Sequence, residues 1–263
     1  MKHFISNNQL LKGIVYKTDN IIIQKTQEGL RKKRCFIIGT GHSLSVNEGD
    51  YITKHDPFMH EFVPKVAEEV TVYVFYFTFE SSGLEESSRE IAEFVDSLQE
   101  NYEQIFLVGH SKCGVCLTNT SWYCKKEVVL VTISTPFKGT IVADKEMTEK
   151  ELKYPILIKI YNMIFSNHNV DKDIAPNSRC IKNMHYPICK EHINVVSTLR
   201  GLQDCNNPID VFLVFWDKLL KIGGDGIVSI DSQMATTTNQ EINVFCSHAS
   251  SLTQALRIID KIP

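Results

Sequence analysis

The chain has 263 residues, 43% of them hydrophobic, which is enough to bury one sizeable core. A formal charge of −3 and a pI near 6.3 leave no basic surface to argue for a nucleic-acid partner. No stretch approaches the ~18 apolar residues of a membrane span, and the opening Met-Lys-His-Phe-Ile-Ser-Asn-Asn lacks the uninterrupted apolar run of a secretory signal. The expectation is a soluble, cytoplasmic protein with a single domain over residues 1–263. Its eight cysteines are scattered through apolar and polar segments alike, so reduced thiols are expected rather than a disulfide framework.

Residues 14–24 read as a hairpin, with β-branched residues in both arms and Lys17-Thr18-Asp19-Asn20 as the turn. The basic run Arg31-Lys32-Lys33-Arg34 reads as a solvated lead-in to the next strand rather than an import or nucleic-acid signal. That strand, Cys35-Phe-Ile-Ile, stops at Gly39-Thr40-Gly41-His42-Ser43. Glycine there allows close backbone approach, and such a loop can aim amide N–H groups into a cleft or be an ordinary turn. A helix is expected over 61–70. The run from Thr71 to Phe79 is apolar on both faces, as in the middle of a parallel sheet covered by helices. Ser81-Ser82-Gly83 breaks the chain, and 84–100 forms an amphipathic helix with Ile91, Phe94, Val95 and Leu98 on one face.

The stretch Ile105-Phe-Leu-Val-Gly-His-Ser-Lys-Cys-Gly then carries the chemistry. An apolar strand ends at Gly109 and a helical run follows Gly114, with Ser111 between them. In so tight a strand–turn–helix the positions two before and two after the serine must be small, and the serine is forced into a strained conformation with its hydroxyl exposed. Gly109 fills the first position. Cys113 stands at the second, where glycine is usual, with Gly114 just after it. His110 is expected to pack beside the turn, and Cys113 and Cys116 are weak rivals as nucleophiles.

Another buried strand follows at 128–133, ended by Thr135-Pro136-Phe137-Lys138-Gly139. Strands alternating with helices at this spacing imply a doubly wound, mostly parallel sheet. Residues 140–192 differ, with a charged part and then a strongly apolar one. They are read as a helical cap or lid, the alternative being packing on the sheet flank. Cys180, His185, Cys189 and His192 in this region match no common zinc-finger spacing. The sheet resumes at Ile193. Asp225 then sits in the glycine-lined turn Gly223-Gly-Asp-Gly, where a carboxylate can be held by backbone N–H groups. The last strand, from Glu241 to Cys246, leads to His248 and a helix over 249–260. Asp231 and Asp204 compete with Asp225 as an acid, and His42 competes with His248 as a base.

Four motifs, in order, resemble the lipase and lipase-like branch of the α/β-hydrolases. Ile38-Gly39-Thr40-Gly41 is similar to the oxyanion loop, with Ile38 where histidine is usual. Gly109-His110-Ser111-Lys112-Cys113 resembles the G-H-S-x-G elbow. Thr135-Pro136-Phe137-Lys138-Gly139 resembles a T-P-x-x-G segment, and Asp225-Gly226-Ile227-Val228 a D-G-x-V motif carrying the acid. The resemblance implies an α/β-hydrolase fold with an N-terminal hairpin and a cap insertion over about 140–192. It implies a Ser111–Asp225–His248 triad, with the backbone N–H groups of Thr40 and Lys112 as oxyanion donors. Gly41, His42, Pro136 and Phe137 would line the substrate site. No metal or organic cofactor is needed. The expected partner is a small-molecule or lipid ester, and an apolar lid would allow transient contact with a membrane surface. A thioesterase or acyltransferase using the same triad stays open, as does a weakly catalytic binding module.

Overall fold

The computed structural model describes residues 13–27, 29, 33–41, 70–78, 81–98, 102–152, 155–164, 172–235 and 237–259. His42 and, apart from Val70, the helix expected over 61–70 lie outside them. Eight strands form one sheet: β1 (Ile14–Lys17), β2 (Ile21–Gln27), β3 (Arg34–Gly39), β4 (Thr71–Phe77), β5 (Gln104–His110), β6 (Val129–Ile133), β7 (Glu191–Ser197) and β8 (Gln240–Val244). Their spatial order is β1-β2-β4-β3-β5-β6-β7-β8. β1 and β2 are the expected hairpin, and β2 pairs antiparallel with β4. Every later pairing, from β4–β3 to β7–β8, is parallel.

The expected two-sided burial appears as strict alternation. Cys35, Ile37, Tyr73, Phe75, Ile105, Leu107 and Leu130 point to one face. There they meet Ile91, Phe94 and Val95 of α1 (Leu84–Leu98) and Val115 and Leu117 of α2 (Lys112–Tyr123). Phe36, Ile38, Val72, Val74, Phe106, Val108, Val131 and Ile193 point to the other face, where Leu252 and Ala255 of the C-terminal helix cover them. A strand buried on both sides has no polar face, which is why these runs read as continuously apolar. At the β8 edge Gln240, Glu241 and Asn243 are exposed, and such polarity discourages further strand pairing.

The segment between β6 and β7 is helical and divides in its packing. A 3-10 turn (Ile141–Ala143), α3 (Lys145–Glu151) and α4 (Pro155–Ile164) come first. Val142, Leu152, Leu157 and Ile158 gather with Trp216, Leu220 and Ile222, mostly from α6 (Pro208–Leu220). The second half, with α5 (Arg179–Lys182), goes elsewhere. Ile174, Cys180, Ile181 and Cys189 join the cluster beneath α1 and α2, on the flank of the sheet. Asp173 Oδ2 there accepts the Leu84 N–H at 2.7 Å, capping α1 from 89 residues away. The remaining described helices are a 3-10 turn (Leu202–Asp204), the short α7 (Ile230–Gln233) and α8 (His248–Ile259), which is the C-terminal helix.

All eight cysteines are free thiols. Among the described residues no helix is long and apolar enough to cross a membrane.

Leu107 is fully buried on the central strand β5. Leu107→Ala should therefore cost roughly 2–5 kcal/mol, read as a lower urea midpoint at unchanged slope. A loss below about 1 kcal/mol would mean that the two helices above it collapse into the gap.

Candidate active site

The chain leaves β5 at His110 and is already helical at Lys112, so Ser111 makes the turn alone. Its φ of 56° and ψ of −130° fall in a sparsely populated region that costs of order 1–3 kcal/mol. Two backbone bonds hold it there: Ser111 N–H donates to Ile133 O at 2.9 Å, and Ser111 O accepts from Gly114 N–H at 2.9 Å. Backbone approaches backbone closely at this point. A Cβ on Gly109 would lie 2.6 Å from Gly114 Cα and 2.7 Å from Cys113 O. A Cβ on Gly114 would stand 1.8 Å from Thr135 Oγ1.

The side chain at 113 is accommodated from across the sheet. Cys113 Cβ lies 2.6 Å from where a Cβ on Gly39 would be, and Gly39 is in register with Gly109 on β5. Glycine on β3 thus supplies the room that glycine at 113 would otherwise supply within the turn. Cys113 and Cys116 are both buried, and burial pushes the Cys116 thiol well up, away from nucleophilic thiolate.

Gly41, two residues beyond β3, lies directly against the serine. Gly41 has φ +77°, and a Cβ there would be 2.9 Å from Ser111 Cβ and 2.7 Å from His110 O. Only glycine meets both demands. His110 Nδ1 lies 2.8 Å from Thr40 O, and a carbonyl can only accept, so that nitrogen carries the proton. On its other side His110 Nε2 is 3.1 Å from His248 O and 2.9 Å from Ser251 Oγ. The expected packing residue therefore ties the strand-end loop, the elbow and the start of α8 together. Lys112 is buried, with its ammonium 5.9 Å from the Phe77 ring centroid.

His248 Nδ1 is 2.8 Å from Asp225 Oδ2, and the His248 backbone N–H donates to Asp225 O at 2.9 Å. Asp225 is fully buried and heavily hydrogen-bonded. Its Oδ1 accepts from the N–H groups of Ile227 (3.0 Å) and Val228 (2.8 Å), and its Oδ2 also accepts from Ser197 Oγ (2.8 Å). Burial pushes this carboxyl up. The charge and hydrogen bond of His248, with the donors from Val228 and Ser197, outweigh it, so the carboxyl is held below the ordinary range. The rival acids are engaged elsewhere. Asp231 pairs with Lys138 at 2.7 Å on the surface, and Asp204 with Arg200 at 2.8 Å.

His248 itself opens α8, and the residue before it is anchored by a second buried carboxylate. Asp210 accepts from Ser247 Oγ, from Ser250 Oγ at 3.0 Å and from Asn206 N–H at 2.7 Å. His110 and His248 stand with ring centroids 4.7 Å apart. Ser111 and His248 are 8% and 7% exposed, so both reach solvent narrowly.

Of the expected lining residues, Gly41 lies against Ser111, and Pro136 and Phe137 are buried in a packed loop. Phe137 N–H donates to Ser232 O at 2.8 Å, and its ring meets His192 edge-on at 6.1 Å. Cys180, His185, Cys189 and His192 are not gathered. His192 bonds Thr132 and Thr237, His185 stacks on Trp122, and Cys180 lies on the flank near Asn119. Sequence reasoning left out Asp210, Ser197, Ser134 and Gln233. Ser134 and Ser197 end apolar runs, Asp210 lies in the first turn of α6 and Gln233 ends α7, signals that name no partner.

No protein-family model matches the sequence, and no curated protein resembles it in sequence. Solved structures do resemble it in shape. The mature lipase BlEst2 of Bacillus licheniformis aligns over 91% of this chain and 98% of its own, with a TM-score of 0.57 at 11% identity. The chain spans 54% of the propeptide form of that lipase. A metagenomic carboxyl esterase aligns over 84% of this chain and 66% of its own, at 14% identity and a TM-score of 0.53. The Pyrococcus furiosus esterase Pf2001 aligns over 98% and 92%, at 12% identity and a TM-score of 0.51. Identities this low speak to architecture alone, and with the sheet order described above they agree on one: the chain has the α/β-hydrolase fold.

Proposed function

We propose that the chain is a serine hydrolase that cleaves carboxylic esters, lipid or acyl esters among them, through Ser111, Asp225 and His248. The observation that carries this reading is the His248–Asp225 pair at 2.8 Å, with the His248 ring centroid 4.7 Å from that of His110, the residue before the strained Ser111. Ester hydrolysis needs a nucleophile, a base that can return the proton, and a group that fixes the base's tautomer. Ser111 attacks the ester carbonyl. His248 takes its proton and delivers it to the leaving alcohol, leaving an acyl-enzyme on Ser111. Water, deprotonated by the same imidazole, then attacks that ester, and the proton returns to Ser111 Oγ as the acid departs. Asp225 accepts from His248 Nδ1, which leaves Nε2 as the basic nitrogen and stabilises the imidazolium when it forms. The backbone N–H groups of Thr40 and Lys112 hold the oxyanion. Lipases and esterases are among the solved structures of similar shape, which supports an ester as the substrate class.

The deciding experiment is active-site labelling with a fluorophosphonate, followed by mass mapping of the adduct. Stoichiometric labelling at Ser111, abolished in Ser111→Ala and in His248→Ala, is expected. A folded wild type that stays unlabelled would overturn the reading in favour of a binding module. A panel of p-nitrophenyl esters against acyl-thioesters then separates ester hydrolase from thioesterase.

Asp225→Asn should keep the fold and lower kcat by about 10⁴-fold, because an amide cannot stabilise the charged imidazole. A loss below about tenfold would remove Asp225 from the mechanism. Cys113→Gly should leave kcat/KM within about twofold while costing about 1 kcal/mol in stability, since glycine is the poorer helix residue and the thiol packs against β3. A large gain in kcat/KM would mean that the thiol does crowd the nucleophile.

A further inference from the structure

Asp225 Oδ2 takes more than the bond from His248. It accepts from His248 Nδ1 and from Ser197 Oγ, each at 2.8 Å, and Ser197 Oγ lies 2.5 Å from Ser134 Oγ. An ionised carboxylate has no proton to give, so Ser197 donates its single proton to Asp225, and the Ser134 hydroxyl is the donor to Ser197. The direction of the chain follows: Ser134 to Ser197 to Asp225, meeting His248 on the same carboxylate oxygen. Ser134, Ser197, Asp225 and Gln233 are all fully buried, so solvent does not compete for these bonds.

The parts are held from several sides. Gln233 Oε1 accepts the Ser197 N–H at 2.8 Å, and its Nε2 donates to Ser197 O at 3.0 Å and Val228 O at 3.1 Å. It thereby locks the end of β7 to the turn that carries Asp225. Ser134, just beyond β6, has φ +49°, uncommon for a residue with a side chain. Its N–H donates to Val195 O at 3.0 Å, so the strained residue stays in register with β7 while its hydroxyl points at Ser197.

We infer that Ser134 and Ser197 form a positioning relay for Asp225, fixing the oxygen that meets His248 and setting how strongly that oxygen accepts. The inference rests on the triad reading proposed above. An oxygen that serves two donors divides its charge between them. Removing the Ser197 donor leaves more of that charge for His248, so the imidazolium is favoured. Ser197 contacts the acid and not the reacting serine, so it is a positioning residue. The other titratable neighbours of the pair are His110 on β5, Asp217 and Asp210 on α6, and Cys246 after β8. They are common to wild type and variants, so they do not account for a difference between them.

The test is Ser197→Ala, Ser134→Ala and the double variant, read in two ways. The first is the downfield proton resonance of His248 Nδ1–H, assigned by its loss in His248→Ala. The second is the pH profile of kcat/KM on a p-nitrophenyl ester. Ser197→Ala should move the resonance further downfield and shift the acid limb up by about half a pH unit, a part of the strength of one charge-assisted bond. It should also lower kcat by about tenfold with KM within twofold. Ser134→Ala should act in the same direction and more weakly, and add nothing when Ser197 is already alanine. Ser134→Gly should shift the limb as alanine does while relieving the backbone, and Ser197→Thr should restore its position. A resonance and acid limb unmoved in both single variants, even in less stable proteins, would reduce the relay to packing and overturn the inference. The resonance reads the relay without turnover. A wild type that fluorophosphonate leaves unlabelled, but whose resonance still shifts in Ser197→Ala, would overturn the hydrolase reading and keep the relay.

Discussion

The chain passes from β5 to α2 through a single residue, and that reversal is possible only because backbones touch. Gly109 against Gly114, Gly39 against Cys113, and Gly41 against Ser111 are all contacts with no room for one more carbon. Close packing at this density leaves the serine a single conformation, and the ladder bond from Ser111 N–H to Ile133 O holds it there. The strain at Ser111 is offset by the rigidity of a sheet buried on both faces. A turn of this kind on an exposed hairpin would relax.

Around the strained turn the polar groups are arranged by the same constraint. A buried donor or acceptor left unpaired costs about 1–3 kcal/mol, so the end of the sheet is a place where partners must be found across long distances in sequence. His110 finds them in Thr40 and Ser251, Asp210 in Ser247 and Asn206, and Asp225 in Ser197, Val228 and His248. The Asn206 and Val228 bonds are local, while the others join two segments that must both sit correctly for either to be satisfied. The site is therefore coupled to the folding of the sheet rather than added to it. The net lowering of the Asp225 carboxyl, against the push of burial, is the electrostatic trace of that arrangement.

The helical segment between β6 and β7 shows how one insertion meets two needs. Its first half shares a cluster with α6 through Val142, Leu152 and Trp216, while its second half covers the α1 and α2 flank and caps α1 with Asp173. The composition of 140–192 predicts helices, and they are there. Composition does not say which apolar surface a helix will cover, because both candidate surfaces offer the same aliphatic contacts.

Much of the architecture follows from local physics and was legible in the chain. Apolar runs without alternation specify strands buried on both sides, the glycines at 39, 41 and 109 mark where backbones must approach, and the amphipathic stretch from Leu84 specifies a covering helix. The pairing of Asp225 with His248 was anticipated by position and by resemblance to hydrolases. In the tertiary structure Asp225 stands beside His248, Asp231 beside Lys138 and Asp204 beside Arg200, and the sequence names none of these partners. Likewise Cys113 reads as a departure in the turn until β3 is laid alongside and Gly39 is found opposite it. Ser134 and Ser197 are ordinary strand-end serines in the sequence, separated by 63 residues, and become a hydrogen-bonded pair only when β6 and β7 lie in parallel register. Local periodicity determines which elements form. Which polar groups face one another is decided by strand order and register, and these are properties of the assembled sheet.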